Sequence, residues 1–525
     1  MEASHSAHES INEAYIKTPA FSTGHAFHLT GKDRRLFRML EILPGALAWG
    51  TILLIIVLSF IKPVWAAFFV IAFDLYWLLK TVHLSLHHRH NWKRLLHNIK
   101  VDWAAQLEGI EYSHLYHMII LPFYKEGRDV VEESIVSLLK TKYDASKIIM
   151  VLAGEERAGD EPYQLALEMQ RLYKDKFGHF IVTRHPADVP GEMPGKGSNI
   201  SYAAEQARIK VLDAYNLPYE NVLVSAFDID TVAWEQYLLC LTWHFLTTED
   251  RYRASYQPVP LYNNNIWEAP AVSRVAAMSS TFWQMIQQER PEKLTTFSSH
   301  SVPFVVLHKI GYWQKNMVSE DSRIFWNLFF AHDGNYRVVP ISYPVSMDAN
   351  LAPSFWQTMI NIYKQHRRWS WGVENIPYML FNFIKHKGIP LKKKIKHAFI
   401  QIEGFWSLAT NPLVILLLGW FPILLGGAAF RDTVLSYNLP IVTRNLMIAA
   451  MAGLVLSAVI AFTLIPAMPQ HYKRKPLRWI IMGLQWLLIP FTIIIFGAIP
   501  GLDAQTRLMV GKYMGFWVTP KHRGK

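Results

Sequence analysis

The chain has 525 residues, 51% of them hydrophobic, and a net charge of +12; its mean hydropathy is +0.10. That is too apolar for an ordinary soluble protein and too polar for membrane helices alone, so a soluble catalytic body carried by a few spans is expected. A single cysteine, Cys240, excludes an internal disulfide and a cysteine-rich zinc site and fits a cytoplasmic body. The basic excess lies beside apolar segments rather than in one stripe, which argues against nucleic acid as a partner.

Residues 1–40 read as a cytoplasmic N-terminal tail. Residues 1–31 are rich in Ser, His and Thr without periodicity, no cleaved signal peptide is evident, and Lys32, Arg34, Arg35 and Arg38 follow. Residues 41–80 read as a transmembrane hairpin of two apolar runs, Ile42–Ile61 and Val64–Leu79, joined by Lys62-Pro63 and interrupted by Asp74. Each run approaches the roughly 20 residues that cross a bilayer core. Residues 81–113 form a basic juxtamembrane linker with His87, His88, Arg89, His90, Lys93 and Arg94, suited to lipid headgroups. Basic flanks on both sides place both ends of the hairpin in the cytoplasm.

Over residues 114–350 short apolar strands alternate with amphipathic helices, the pattern of an α/β domain. Strands are expected at His117–Phe123, Lys147–Ala153, Phe180–Val182 and Val222–Thr231, and helices at Val130–Leu139, Pro162–Lys174, Ser198–Tyr215 and Ala233–Phe245. Ligands of open sheets bind at the carboxyl ends of the strands, which would gather Tyr124, Lys125, Glu126, Gly154, Glu155, Asp228 and Asp230. Alternation along an extended chain would point Asp228 and Asp230 the same way, able to share one hard divalent cation. By itself Asp-x-Asp is also how a solvated strand end reads.

Residues 351–400 interleave aromatic and basic residues at helical spacing, from Phe355 through Gln365–Trp369 to Lys392–His397, as helices lying on a membrane surface would. Residues 401–500 carry three apolar stretches, Phe405–Phe430, Leu446–Ala467 and Trp479–Ile499, with the basic link His471–Arg478 between the last two. Pro490 and Pro500 suggest that the third stretch bends back or is re-entrant. Residues 501–525 are a basic tail, expected in the cytoplasm.

Sugar transfer from a nucleotide needs charge neutralisation on the leaving diphosphate, a base for the acceptor hydroxyl, and an acceptor site that excludes water. Asp228 and Asp230 can supply the first through a divalent ion. Ser319-Glu320-Asp321 opens a helix, where a carboxylate is either a base or a simple capping acid. Gln365-His-Arg-Arg-Trp369 joins an amide, a planar cation and a ring on which a pyranose can stack; an interfacial anchor is the plainer reading.

In this order, Asp228-Ile-Asp230, Ser319-Glu-Asp321 and Gln365-x-x-Arg368-Trp369 resemble the family-2 inverting glycosyltransferases, specifically the membrane-embedded cellulose and hyaluronan synthases. Leu121–Glu126 looks like that family's first nucleotide-contacting strand, Gly195–Asn199 like its Gly-Lys…Asn segment, and Phe516–Lys521 like the Phe-x-Val-Thr-x-Lys gating loop of bacterial cellulose synthase. The resemblance implies a GT-A-type, Rossmann-like cytoplasmic domain with interfacial helices and flanking transmembrane helices, in a multi-pass plasma-membrane protein. It makes Asp321 the general base with Glu320 in support, and Asp228 and Asp230 the ligands of Mg²⁺ or Mn²⁺ and the diphosphate. Tyr124, Glu126, Glu155 and Lys196 would contact the donor. Gln365, Arg368 and Trp369 would hold the acceptor end and the diphosphate, and Thr519 and Lys521 would close on the phosphates. Relatives usually carry an aspartate where this chain has Glu155.

The implied donor is a nucleotide sugar, foremost a UDP-sugar, and the first expectation is processive hexose transfer to a growing polysaccharide coupled to export. Two alternatives stay open: non-processive transfer to a polyprenyl or other lipid acceptor, and a membrane-tethered sugar-nucleotide-binding protein without catalysis. Residues that select a hydroxyl's orientation are expected in Gln257–Asn265 and Phe297–Phe304.

Overall fold

The computed structural model describes residues 11–467 and 477–523. The first ten residues of the expected tail, the expected basic link up to residue 476, and Gly524 and Lys525 lie outside the described residues. Two long helices come early, α1 (Gly31–Ile61) and α2 (Pro63–Lys100). Pro63 explains the break: it disfavours a helical Lys62, which sits at φ −142° and ψ 65°, yet is tolerated as the first residue of α2.

Eight strands form one mixed sheet in the order β3-β2-β1-β4-β7-β6-β8-β5. They are β1 (Tyr116–Pro122), β2 (Ile148–Glu155), β3 (His179–His185), β4 (Val222–Ala226), β5 (Val232–Ala233), β6 (Ala254–Tyr262), β7 (Ser301–Pro303) and β8 (Arg337–Met347). β1 pairs in parallel with β2 and β4, and β2 with β3; β7 runs antiparallel to β4 and β6. β2 and β4 are buried along their whole length, as continuous apolar runs between two covering layers should be. The chain winds outward to β2 and β3 on one side of β1 and to β4 on the other. The gap between the carboxyl ends of β1 and β4 is therefore the switch point at which such sheets bind ligands.

Helices α3 (Arg128–Leu139), α4 (Lys196–Ala207), α5 (Tyr237–Thr247), α6 (Ala271–Gln288) and α7 (Glu320–Ala331) belong to the α/β body, as does the helix Asp160–Tyr173 between β2 and β3. The expected strand Val222–Thr231 stops at Ala226, because the chain turns at Ile229 and Asp230. The expected helix from Ala233 starts only at Tyr237, because Val232 and Ala233 pair with Ser346 and Val345.

Beyond the sheet come α8 (Phe355–Ser370), α9 (Asn375–Lys385), α10 (Leu391–Leu416), α11 (Val434–Leu464) and α12 (Ile480–Met509). Among the described residues, α1, α2, α10 and α12 are long and apolar enough to cross a membrane. α12 does not turn back at its prolines. It runs on through a 3₁₀ turn at Gln485–Leu488 and a π turn at Ile493–Ala498.

Three boundaries differ from expectation. Residues 11–29 are not a loose tail: Ile11, Ala20, Phe21, Ala26 and Leu29 enter the main core. Successive carbonyls of this segment are met by side-chain donors, Ala20 by Asn382 at 3.2 Å, Phe21 by Tyr378 at 2.9 Å, Ser22 by Gln314 and Asn316 at 3.2 Å, and Thr23 by Arg323 at 3.1 Å. The basic stretch after the hairpin is no linker, since α2 continues through it. Asn91 reaches the Ser342 hydroxyl at 3.2 Å, and Asn98 the carbonyls of Ile341 and Ser342 on β8. α8 exposes Phe355, Trp356 and Ile360, and the start of α10, which Lys392–His397 open, exposes Leu391, Ile395 and Phe399; α9 instead buries Ile376, Tyr378, Met379 and Phe381.

Arg323 is fully buried on α7, two residues after Asp321. Its guanidinium donates to Thr23 and Glu374 carbonyls, to Gln314 and to Asn375, and lies 3.7 Å above the Tyr378 ring. Removing it leaves several buried acceptors bare. Arg323→Met is expected to destabilise the protein by about 3 kcal/mol or more, read from denaturant unfolding of the catalytic body. A loss within about 0.5 kcal/mol would show that water replaces the guanidinium.

Candidate active site

The site forms where β1, β2 and β4 end. Asp228 and Asp230 follow β4, but the chain has left the extended conformation there and the turn gives them different partners within the protein. Asp228 accepts from Lys196 Nζ at 2.6 Å. Fully buried Asp230 accepts on Oδ2 from Lys521 Nζ at 2.6 Å and from the Asp348 N–H at 2.9 Å.

Lys196 opens α4 and is the hinge of the arrangement. The same ammonium lies 3.0 and 3.2 Å from the two carboxylate oxygens of Asp321, at the start of α7. Its burial favours the neutral amine, but Asp228, Asp321 and Glu320 outweigh that and raise its pKa. Burial likewise pushes Asp228 up, yet Lys196 wins and holds it below the usual carboxylate range. Asp230 goes the other way: burial raises it, Lys521 opposes, and Asp348 and Asp228 add to the rise.

Gly197 lies beneath Glu320, where a Cβ would come 3.1 Å from that of Glu320. The loop before α7 is held by Glu374, which accepts from the N–H groups of Ser319 at 2.8 Å and Val318 at 3.3 Å. His300 lies 4.0 Å from Asp321. Trp313 can only donate to its Nε2, at 3.1 Å, so the proton sits on Nδ1 and goes to the Phe297 carbonyl at 2.8 Å. The preceding Ser299 has φ +65°, a strained position for a residue with a side chain.

Around the rim, the residues expected at the donor are mutually engaged. Glu126 accepts the N–H groups of Tyr124 at 2.7 Å and Lys125 at 3.1 Å, so it shapes its own loop. Glu155 accepts from both Nε and Nη2 of Arg157, and Arg157 lies 4.7 Å above the Tyr124 ring. The tail crosses the opposite rim. Phe516 packs on Gly195, where a Cβ would meet it at 2.7 Å, and Arg368 lies 5.1 Å over its ring. The buried Thr519 hydroxyl has no partner among the described residues. Arg523 pairs with Asp348 at 2.9 Å and also with Glu133. On α8, Gln365 is buried and Trp369 is 37% exposed, 5.8 Å from Tyr262.

The structure thus brings together Lys196, Asp228, Asp230, Glu320, Asp321 and Lys521. Glu155 is tied to Arg157, and Gln365 and Trp369 form a separate wall. Sequence reasoning missed Asp348, Arg523, Glu374 and Arg323. His300 and Asn264 do fall in the two segments expected to line the pocket, and Asn264 bonds to Asp348 at 3.0 Å. Among the described residues no three His, Cys, Asp or Glu side chains form a ready metal cage. Asp230 Oδ1 is nevertheless buried without a partner, and with Asp228 it fits a hard cation whose remaining ligands are phosphates.

An open sheet with this acid and lysine set at its switch point defines a glycosyltransferase domain of GT-A type. The model of glycosyl transferase family group 2 matches residues 223–499, over half of the chain, and the chain belongs to that family. No curated protein matches it. Among solved structures, the mannosyltransferase PcManGT from Pyrobaculum calidifontis in complex with GDP-Man and Mn²⁺ is similar at 13% identity and TM-score 0.39, covering 81% of this chain and 99% of its own. S. aureus TarS 1-349 in complex with UDP-GlcNAc is similar at 12% identity and TM-score 0.33, covering 66% and 90%.

Burial, and then Asp321 beside it, push the Glu320 carboxyl from 4.5 up to about 8. The folded state keeps a proton that the unfolded chain releases, so this group makes stability fall as pH rises between those two values. Glu320→Gln cannot titrate, and its melting temperature is expected to decline less than the parent's from about pH 5 to 8. Parallel curves would place the pH dependence elsewhere.

Proposed function

We propose that this protein is an inverting glycosyltransferase that moves a hexose from a nucleotide diphosphate sugar to the end of a growing polysaccharide, processively and coupled to export. The observation that carries the reading is the Lys196 bridge. One ammonium faces both the carboxylate that would anchor the leaving diphosphate and the carboxylate that would activate the acceptor.

In this mechanism the acceptor hydroxyl approaches Asp321, which takes its proton as the oxygen attacks the anomeric carbon from the side opposite the nucleotide. Lys196 stabilises the negative charge that gathers on the departing diphosphate. Glu320, neutral near pH 7, adds no second negative charge against Asp321. Tyr124 and Arg157 make a planar shelf on which a nucleobase can stack. Lys521 and Thr519 cover the phosphates, and Gln365, Arg368 and Trp369 hold the acceptor. Mg²⁺ or Mn²⁺, if held by Asp228 and Asp230, would supply further neutralisation of the leaving group. The likeness to cellulose and hyaluronan synthases in the motif order supports the polysaccharide product, and α1, α2, α10 and α12 support membrane residence.

One feature favours the lipid-acceptor alternative. A cavity of about 320 Å³ lies between Leu96 and Ile99 of α2 and Leu464–Pro466 at the end of α11, with Asn264 among its lining residues. Its apolar walls could receive part of a lipid acceptor drawn out of the bilayer. Product size separates the two: a ladder of lengths supports elongation, and a single added sugar would sink it.

Asp321→Asn is expected to lower turnover by about 10²–10⁴-fold with donor affinity unchanged, measured by product release and nucleotide binding. Asp228→Asn and Asp230→Asn should each cost about a hundredfold or more in turnover. Losses of tenfold or less would argue against leaving-group stabilisation by these carboxylates.

A further inference from the structure

Within the Gln365–Trp369 motif, His366 has two distinct ends. Its Nδ1 lies 2.6 Å from the Phe496 carbonyl oxygen. In a regular helix that carbonyl would be met by the residue four positions on, which is Pro500 and has no N–H. The π turn at Ile493–Ala498 and His366 together answer the missing donor. A carbonyl only accepts, so the Nδ1 end carries the proton and Nε2 is a bare lone pair. Burial lowers the His366 pKa to about 4, which keeps the ring neutral near pH 7. No bond to Nε2 is found among the described residues.

His366 also lines a small cavity with Tyr262, Ser273, Asn350, Gln365 and Trp369. Its volume is about 10 Å³, close to what one water or one hydroxyl oxygen needs. Asn350, at 7% exposure, contributes an Oδ1 that is buried without a partner, while its Nδ2 faces Gln365 Oε1 at 3.5 Å. The cavity is thus lined by Asn350, with a buried acceptor that lacks a donor, and by the half-buried His366, with a nitrogen free to accept, beside an aromatic ring that is open to solvent. Leaving a buried acceptor such as Asn350 Oδ1 unmet costs about 1–3 kcal/mol, and a sugar hydroxyl relieves that cost.

We infer that His366 Nε2 and Asn350 Oδ1 select the acceptor by receiving hydrogen bonds from hydroxyls of a terminal pyranose whose ring lies on Trp369. This rests on the reading of Gln365–Trp369 as the acceptor wall. Sites built to bond a hydroxyl discriminate strongly against an analogue that lacks or misplaces it. His366 therefore does two jobs: it caps a carbonyl of α12 with one nitrogen and reads the acceptor with the other.

The two jobs separate by substitution. Gln can place an amide near Nε2 but not Nδ1, and Asn the reverse. The full-length protein in lipid nanodiscs would be given nucleotide sugar and, as acceptor, methyl glucopyranoside, galactopyranoside or mannopyranoside. His366→Phe and His366→Asn are expected to lose at least tenfold in kcat/KM for the preferred pyranoside, with nucleotide Kd unchanged and His366→Gln recovering most of the loss. Recovery by Asn instead of Gln, or equal rates in all variants, would overturn the inference and leave only the carbonyl cap. Should the His366 variants fail to fold, Asn350→Ala decides: a changed preference among the three pyranosides supports selection, and an unchanged one refutes it. A parent that cleaves the donor but transfers to none of the three refutes this inference, whereas a parent that neither cleaves nor transfers refutes the glycosyltransfer reading itself.

Discussion

Carboxylates repel, and this fold gathers Asp228, Asp230, Asp321 and Asp348 around one pocket. Two like charges 4 Å apart oppose each other by about 4 kcal/mol at an effective dielectric constant of about 20. The pocket is stable because cations from distant parts of the chain are interleaved with the acids. Lys196 stands between Asp228 and Asp321, Lys521 against Asp230, and Arg523 against Asp348. Two of these three cations come from the last residues described. The C-terminal tail is therefore part of the charge balance of the site.

The same logic explains the depth to which the N-terminal segment is built in. The loop and helix that carry Asp321 begin on a buried glutamate, Glu374, and are backed by a buried arginine, Arg323. Arg323 in turn holds the carbonyl of Thr23. His25 sits between Glu41 of α1 and Glu374, 4.0 and 3.6 Å away, with burial and then Arg323 lowering its pKa to about 3 so that it stays neutral. Tyr513 reaches the same Glu41 at 2.8 Å, so the segment around His25, α1, the loop before α7 and the tail meet at one polar core.

Much of the site was legible in the sequence for a local reason. A buried strand that ends in acids, an acid pair opening a helix, and a lysine after a glycine are contiguous patterns, and each stands near the others in the structure. The parallel half of the sheet was legible through its apolar runs. What failed depended on partners far along the chain. Asp228 and Asp230 diverge because the strand stops early, and β5 exists only because β8 is there to pair with it. Arg323, Glu374 and Asp348 are single polar residues in unremarkable surroundings, and only tertiary contact gives them work. The pairing of the tail's lysine with Asp230 is likewise a contact between residues far apart in the chain.

α2 carries a mechanical consequence. It is one helix of 38 residues, about 57 Å long at the usual rise of 1.5 Å per residue. A hydrocarbon core is about 30 Å thick, so a crossing by α2 would leave roughly half of the helix clear of it. That half is bolted to β8 through Asn91 and Asn98 rather than connected by a loop. If α2 crosses a bilayer, the α/β body could not bob or swivel on it as a tethered domain would; its height above the lipid would be set by a post of fixed length.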